Sequence, residues 1–140
     1  MFAVLDTNHF SEWAQGSAFG ENLKRRSRHQ AAGMFVSIVT AQEVCQEWFA
    51  VLNRNASGRK QIPGYAQFQH SLEMLMHFDI LPFDDDAATA FESLQRQRLR
   101  VGTMDLRIAA ICIAHDAALR SRNLVDFEKV PFLRVENWLD

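Results

Sequence analysis

The sequence has few of the residues that mark special classes of protein. Its two cysteines, Cys45 and Cys112, are too few for a secreted disulfide framework and lie among apolar residues, so we expect buried thiols. No apolar run approaches the roughly 20 residues that cross a bilayer. The net charge of -2 lacks the basic excess of proteins that bind nucleic acid chiefly through phosphates. We therefore expect a soluble cytoplasmic protein with no membrane partner, whose nucleic-acid contacts, if any, are local.

The chain has the size and composition of one ordinary globular domain. Its 140 residues are 48% hydrophobic and 23% charged, with three Pro and six Gly, which excludes a disordered or fibrous chain. A chain of this length buries roughly 68% of its unfolded surface in a single core. We find no linker, internal repeat or low-complexity segment, so residues 1–140 are predicted to form a single domain.

Short apolar runs alternate with helical patterns along the whole chain. The predicted strands are residues 2–5, 34–39, 80–83, 117–119 and 130–135. The predicted helices include two within residues 10–28, with a basic end at residues 24–29, one that starts with Thr40 as N-cap, one over residues 65–78, and two that begin near Asp84 and Thr103. Residues 53–64 are predicted to be a polar loop. This alternation predicts an α/β/α layered fold with a mainly parallel central sheet.

Polar residues that follow the predicted strands are candidates for a functional site. In open parallel sheets, ligands bind at the carboxyl ends of the strands. The residues in such positions are Asp6, Glu43, Asp105, Asn123 and Asp126. Clustered carboxylates repel one another, and oxygen ligands favour a hard divalent ion such as Mg²⁺ or Mn²⁺. The sequence therefore favours a metal site at this edge of the sheet.

Each of these acids also has a structural explanation when it is considered alone. Asp6 could be a turn residue, and Asp105 could cap its helix and interact with the helix dipole. Glu43 lies near other polar residues on its helix and could be part of a solvated face. Only the combination of the acids is informative.

Four segments of the sequence resemble the PIN-domain ribonucleases, in particular the VapC-type toxins of bacterial toxin-antitoxin pairs. The first is LDTN at residues 5–8, and the second is residues 37–43, which end at Glu43. The third is GTMDLRIAA at residues 102–110, and the fourth is the tail at residues 121–138. These segments cover both ends and the middle of the chain.

The resemblance implies a PIN fold with an acidic cleft that binds Mg²⁺ or Mn²⁺ and hydrolyses RNA phosphodiester bonds. Asp6, Glu43 and Asp105 match the acidic residues of the family, and Asp6 and Asp105 are implied as metal ligands. The position of a fourth family acid holds Asn123, with Asp126 three residues later. Because of this departure, the number of metal ions stays open, as does the choice between these two residues.

The same resemblance suggests which residues bind substrate and which proteins bind this chain. The candidates for RNA contact are polar or basic side chains in or beside the four segments, namely Thr7, Asn8, Thr103, Arg107, Ser121 and Arg122. The resemblance also implies that the protein forms a homodimer. It further implies a cognate antitoxin, a segment of which covers an apolar surface and blocks the cleft.

Two other functions fit parts of the sequence. A PIN-like domain without catalysis, acting as an RNA-binding or protein-interaction module, is suggested by Asn123 at the fourth acidic position. A phosphatase or receiver domain could use Asp6, but the phosphatase would need a second Asp where this chain has Asn8. Metal binding separates the nuclease from the non-catalytic module.

Overall fold

The protein forms a layered α/β fold. The computed structural model describes residues 2–28, 33–55 and 57–140. Within these ranges the elements are β1 (Ala3–Leu5), α1 (Thr7–Gln15), α2 (Ala18–Ser27), β2 (Met34–Ser37), α3 (Ile38–Arg54), a 3-10 turn (Gly58–Gln61), α4 (Ile62–Leu75), β3 (Asp79–Leu81), α5 (Asp85–Arg96), α6 (Thr103–Ala114), β4 (Ala118–Arg120), α7 (Leu124–Phe127) and β5 (Val135–Glu136). None of these helices is long and apolar enough to cross a membrane.

The five strands form one sheet in the order β3-β2-β1-β4-β5, and every pairing is parallel. Alternate residues of a strand face opposite sides, so β1 contributes to two cores. Val4 packs in the cluster that contains Ile108 of α6, whereas Leu5 packs with Phe10 and Leu23 of α1 and α2. The predicted α/β layered fold with a parallel sheet is thus confirmed.

Several predicted boundaries are wrong for identifiable physical reasons. Thr40 is not the N-cap of α3, because the helix already begins at Ile38 and the Ser37 hydroxyl accepts the Thr40 N–H at 3.2 Å. Strand β2 therefore ends at Ser37 rather than at residue 39. The predicted loop over residues 53–64 is shorter, since α3 extends to Arg54 and α4 begins at Ile62. Pro63 is tolerated there because the first turn of a helix needs no N–H donor.

The second half of the chain differs from prediction at its strands. The last strand is only Val135–Glu136, not residues 130–135. Strand β4 includes Arg120, which is 5% exposed and stacks on the Trp138 ring with its guanidinium carbon 3.9 Å from the ring centroid.

Two predictions about exposure have mixed outcomes. Cys112 is buried as predicted, but Cys45 is only half-buried. The basic end of α2 is predicted from the sequence to face solvent. Arg25, Arg26 and Arg28 are exposed and Lys24 is half-buried, while His29 lies outside the described residues.

Candidate active site

Four of the predicted site residues come together at the carboxyl ends of the strands. Asp6 directly follows β1, Glu43 lies on α3, Asp105 is in the first turn of α6, and Asn123 precedes α7. All four line one cleft of about 170 Å³, together with the predicted substrate-binding residues Thr7 and Asn8. The parallel order of the sheet produces this convergence, because β1 is central and its neighbours β2 and β4 lead into the other segments.

Asp6 has a structural role as well as a position in the cleft. It is 8% exposed, and its Oδ1 accepts the backbone N–H of His9 at 2.9 Å, which caps α1. The Nδ1 atom of His9 lies 3.2 Å from the same Oδ1. The cap bond and the close approach of the imidazole therefore involve the same oxygen of the Asp6 carboxylate.

Glu43 is held by a hydroxyl from a different helix. Thr7 Oγ1 donates a hydrogen bond to Glu43 Oε1 at 2.6 Å, and the same hydroxyl is 3.2 Å from the hydroxyl of buried Thr40. A hydrogen bond to a charged carboxylate is short and strong, so Thr7 restricts the rotamers of Glu43. The hydroxyl of Thr7, a candidate for RNA contact, is thus bonded to a carboxylate of the cleft in this structure.

The electrostatics of the cleft are dominated by unpaired negative charge. The pKa of Asp105 is raised to about 6, first by burial and then by the nearby charges of Glu43, Asp6 and Asp126. A hydrogen bond from the Asn123 side chain partly opposes this rise in pKa. Burial and the neighbouring negative charges therefore both disfavour the ionised form of Asp105.

Glu47 also lines the cleft, and the sequence analysis did not identify it as a site residue. Burial, followed by the charge of Glu43, raises its pKa. A signal for it was present in the sequence, because residues four apart on a helix lie on the same face and Glu47 is four residues after Glu43.

Asp126 lies beside the cleft but does not line it. Its carboxylate accepts hydrogen bonds from Asn123 Nδ2 at 3.0 Å and from Lys129 Nζ at 3.2 Å. These two bonds lower the pKa of Asp126. Of the two candidates for the fourth family position, Asn123 is the one that reaches the cleft.

The remaining predicted substrate-binding residues lie outside the lining of the cleft. Arg122 is held by Asp140 through Nε at 3.1 Å and Nη2 at 3.3 Å. Arg107 contacts Met104 Sδ at 3.2 Å, and Thr103 is exposed at the start of α6. Ser121 is fully buried, and its hydroxyl accepts the Asn123 N–H at 2.9 Å, so it shapes the loop that carries Asn123.

The donor set of the cleft fits a hard divalent cation. Four carboxylates and the amides of Asn8 and Asn123 line it, and within the described ranges no Lys or Arg does so. No group of three or more His, Cys, Asp or Glu among the described residues is already arranged to hold a metal ion. Mg²⁺ needs no such closed set, because it is usually bound through one or two carboxylates and keeps several waters. Asp6 and Asp105 are the residues that could hold it.

The sequence matches the PIN domain family over residues 3–133. The chain belongs to the PIN domain family. The resemblance inferred from the four segments is thereby confirmed. These segments carry Asp6, Glu43 and Asp105, which line the cleft of this PIN domain.

Comparisons with individual proteins give the same family. The chain is 37% identical over 62 residues to Ribonuclease VapC1 of Rickettsia felis, and the match covers 41% of this chain and 46% of that protein. The chain thus spans less than half the length of this curated relative.

Solved structures match over nearly the whole chain. VapBC2 from Rickettsia felis bound to a DNA fragment from their promoter has a TM-score of 0.74 at 23% identity, with 99% of each chain covered. VapBC-1 from nontypeable Haemophilus influenzae has a TM-score of 0.75 at 18% identity, with 100% of each chain covered. At these identities the structures show a shared fold.

Proposed function

We propose that this protein is an endoribonuclease that depends on Mg²⁺ or Mn²⁺, hydrolyses RNA phosphodiester bonds and acts as the toxin of a toxin-antitoxin pair. We propose further that residues 1–140 act as a single PIN domain in the cytoplasm. The observation that carries the proposal is the convergence of Asp6, Glu43 and Asp105 in one cleft, whose lining among the described residues contains no Lys or Arg. Membership of the PIN family and similarity to Ribonuclease VapC1 support the same function.

In the proposed reaction, a water oxygen bonds to phosphorus and the bond from phosphorus to the 3′-oxygen breaks. The products carry a 5′-phosphate and a 3′-hydroxyl. A divalent cation, when bound, supplies charge neutralisation at the phosphate and acidifies water. Asp6 and Asp105 would hold this cation. Glu43, fixed through one oxygen by Thr7, orients the attacking water with its other oxygen.

The experiment that tests this proposal is cleavage of total cellular RNA by the purified protein, free of any partner. Reactions contain Mg²⁺, Mn²⁺ or EDTA and run beside Asp6→Asn. We expect cleavage with either metal, none in EDTA, and products that a 5′-phosphate-dependent exonuclease degrades. Cleavage that is equal in EDTA, or equal for Asp6→Asn, contradicts the proposal.

A second candidate function is the non-catalytic PIN-like module. Asn123 favours it, because this residue gives no charge to the cleft and its amide donates to Asp126 at 3.0 Å. Direct Mn²⁺ binding separates the two functions: a folded protein that binds RNA but neither binds Mn²⁺ nor cleaves RNA supports the module.

We also propose a cognate antitoxin and a homodimer as partners. The support is a set of exposed apolar side chains on α3, on α4 and directly after α4, where Phe49 is 50% exposed, Tyr65 55% and Met76 84%. Exposed apolar patches of this kind suit a partner helix. Light scattering of the purified protein should give the mass of a dimer, and co-expression with the antitoxin should abolish RNA cleavage. A monomer, or cleavage that persists with the bound partner, contradicts these proposals.

A further inference from the structure

The buried imidazole of His9 lies between the Asp6 carboxylate and the last described residues of the chain. His9 is fully buried. Its Nε2 is 3.1 Å from the backbone N of Trp138, and its Nδ1 is 3.2 Å from Asp6 Oδ1. An imidazole thus joins a residue of the acidic cleft to residues 137–140, which we call the C-terminal segment.

The hydrogen bond to Trp138 determines which nitrogen of His9 carries the proton. A backbone N–H can only donate, so Nε2 must accept, and the neutral ring then carries its proton on Nδ1. The proton is then on the ring nitrogen that lies 3.2 Å from Asp6 Oδ1. The C-terminal segment therefore favours the tautomer in which His9 can donate to Asp6.

The donor on Nδ1 is close to Asp6 but is not aligned with it. Although Nδ1 is 3.2 Å from Oδ1, it has no acceptor in hydrogen-bond geometry, and it is one of two such buried side-chain nitrogens among the described residues. A buried donor without an acceptor is unfavourable. Asp6 Oδ1 is the carboxylate oxygen beside this donor, so the unmet donor favours an orientation of Asp6 that brings Oδ1 into line with it.

The C-terminal segment is itself firmly attached to the body of the protein. Leu139 is 1% exposed and packs in the core with Leu5 and Phe10. Asn22 donates to the Leu139 carbonyl at 3.1 Å, and Arg26 donates to the Asn137 carbonyl at 3.1 Å. These contacts fix the position of the Trp138 N–H that His9 accepts.

We propose that His9 is a positioning residue, which holds Asp6 Oδ1 so that Oδ2 is presented to a divalent cation, and that the C-terminal segment sets the tautomer of His9 for this task. The inference rests on the proposed metal site. Partners that orient metal ligands in this way typically change metal affinity about 10-fold to 100-fold when they are removed.

Substitutions at His9 can separate a positioning role from a merely structural one. In His9→Asn the amide N–H replaces Nδ1–H towards Asp6 but leaves the Trp138 N–H without its acceptor. In His9→Gln the longer side chain brings its carbonyl to the Nε2 position but offers Asp6 no donor. His9→Phe removes both functions and keeps the ring.

The first measurement is Mn²⁺ affinity by electron paramagnetic resonance on the full chain without RNA, together with Tm. We expect His9→Asn to bind Mn²⁺ within about threefold of the unsubstituted protein, and His9→Gln and His9→Phe to bind about 10-fold more weakly. We expect His9→Gln to retain more of the Tm than His9→Asn. If the Mn²⁺ affinities of the three variants instead fall in the same order as their Tm values, His9 has only a structural role and the inference is wrong.

His115→Phe is the matched control. This half-buried imidazole also bonds to the backbone, with Nδ1 3.0 Å from the Ile111 carbonyl oxygen, but it lies at the end of α6 opposite to Asp105. This substitution should leave Mn²⁺ affinity unchanged, and a similar loss there would overturn the role of His9. If the unsubstituted, folded protein binds no Mn²⁺, it is the proposed metal site that fails.

A second measurement needs neither metal nor activity. The ¹⁵N chemical shifts of the imidazole at neutral pH should show His9 protonated on Nδ1, and His9→Phe assigns the signals. In Trp138→Pro, which lacks the backbone N–H, the fraction of the Nδ1–H tautomer should fall, whereas Trp138→Phe should leave it unchanged. A ring protonated on Nε2 in the unsubstituted protein overturns the inference.

Discussion

Two sets of carboxylates in this protein differ in what surrounds them. Asp105 lies among Glu43 and Asp6, and burial together with their charges raises its pKa to about 6. Asp126 and Asp140, which we call the paired acids, have lowered pKa values because they accept hydrogen bonds. The donors to Asp126 are Asn123, which has the larger effect, and Lys129. The donors to Asp140 are Asn137, which has the larger effect, and Arg122. Each of the paired acids accepts a hydrogen bond from a cationic side chain of this chain, whereas among the described residues no Lys or Arg lines the cleft.

The largest expected effect is the loss of RNA cleavage when an acid of the cleft is neutralised. Asp6→Asn should lower the rate about 100-fold or more, because it removes a proposed ligand of the cation. The rate of cleavage of a labelled RNA in Mn²⁺ measures this. Asp116→Asn is the control, since its carboxylate pairs with Arg134 at 2.8 Å just beyond the far end of α6. Equal losses in both variants would show that the acids of the cleft have no special role in RNA cleavage.

Without metal, the acids of the cleft should weaken the fold. In EDTA at pH 7.5, Asp105→Asn should raise the free energy of unfolding by about 1–2 kcal/mol, allowing for screening by solvent in the open cleft. The corresponding rise in Tm is about 3–6 °C. Thermal unfolding followed by circular dichroism measures it.

The dependence of this effect on pH follows from the direction of the shift. The pKa of Asp105 is raised in the folded protein from 3.8 to about 6, so the folded state binds more protons between these values and stability falls as pH rises through them. The advantage of Asp105→Asn should therefore be complete above pH 6 and vanish below about pH 4. An advantage that grows as the pH falls would contradict the assignment.

A smaller effect is expected at Glu47, which lines the cleft from α3. Glu47→Gln removes one negative charge without removing a proposed ligand. Because a high effective dielectric weakens the attraction between this charge and the cation, Mn²⁺ affinity should fall only about threefold. Glu73→Gln, on the exposed face of α4, is the control. Isothermal titration with Mn²⁺ distinguishes this from a loss of 10-fold or more, which would make Glu47 a ligand.

Only part of the contrast between the acids of the cleft and the paired acids could be predicted from the sequence. Asp6 and Asp105 were predictable because strand ends and helix starts in a parallel sheet meet at one edge. The separation of Asn123 from Asp126 was not, since it depends on the turn before α7, where Ser121 and Asn123 bond to the backbone. Likewise Arg122, adjacent in sequence to Asn123, is held by Asp140, which lies 18 residues later.

The environment of His9 could not be predicted from the sequence. Its ring lies between Asp6 and Trp138, which is 129 residues away in the chain. Periodicity within a helix indicates which face is buried, but it carries no information about a contact of that separation. The N-cap of α3 was missed for a simpler reason, because Ser37 and Thr40 are both good caps and only the end of β2 decides between them.

The smallest expected effect is at Lys129, which pairs with Asp126 at 3.2 Å on the surface. Lys129→Ala should change Tm by less than about 1 °C and RNA cleavage by less than about twofold, because exposed ion pairs contribute little to stability. A carbon-detected titration of Asp126 sharpens the comparison. Its pKa should rise when Lys129 is removed but stay below the ordinary value, since the Asn123 amide is the larger cause of the lowered pKa. If the pKa of Asp126 instead rose above its ordinary value, like that of Asp105, then Asp126 would belong with the acids of the cleft and Lys129 would be the cation that masks it.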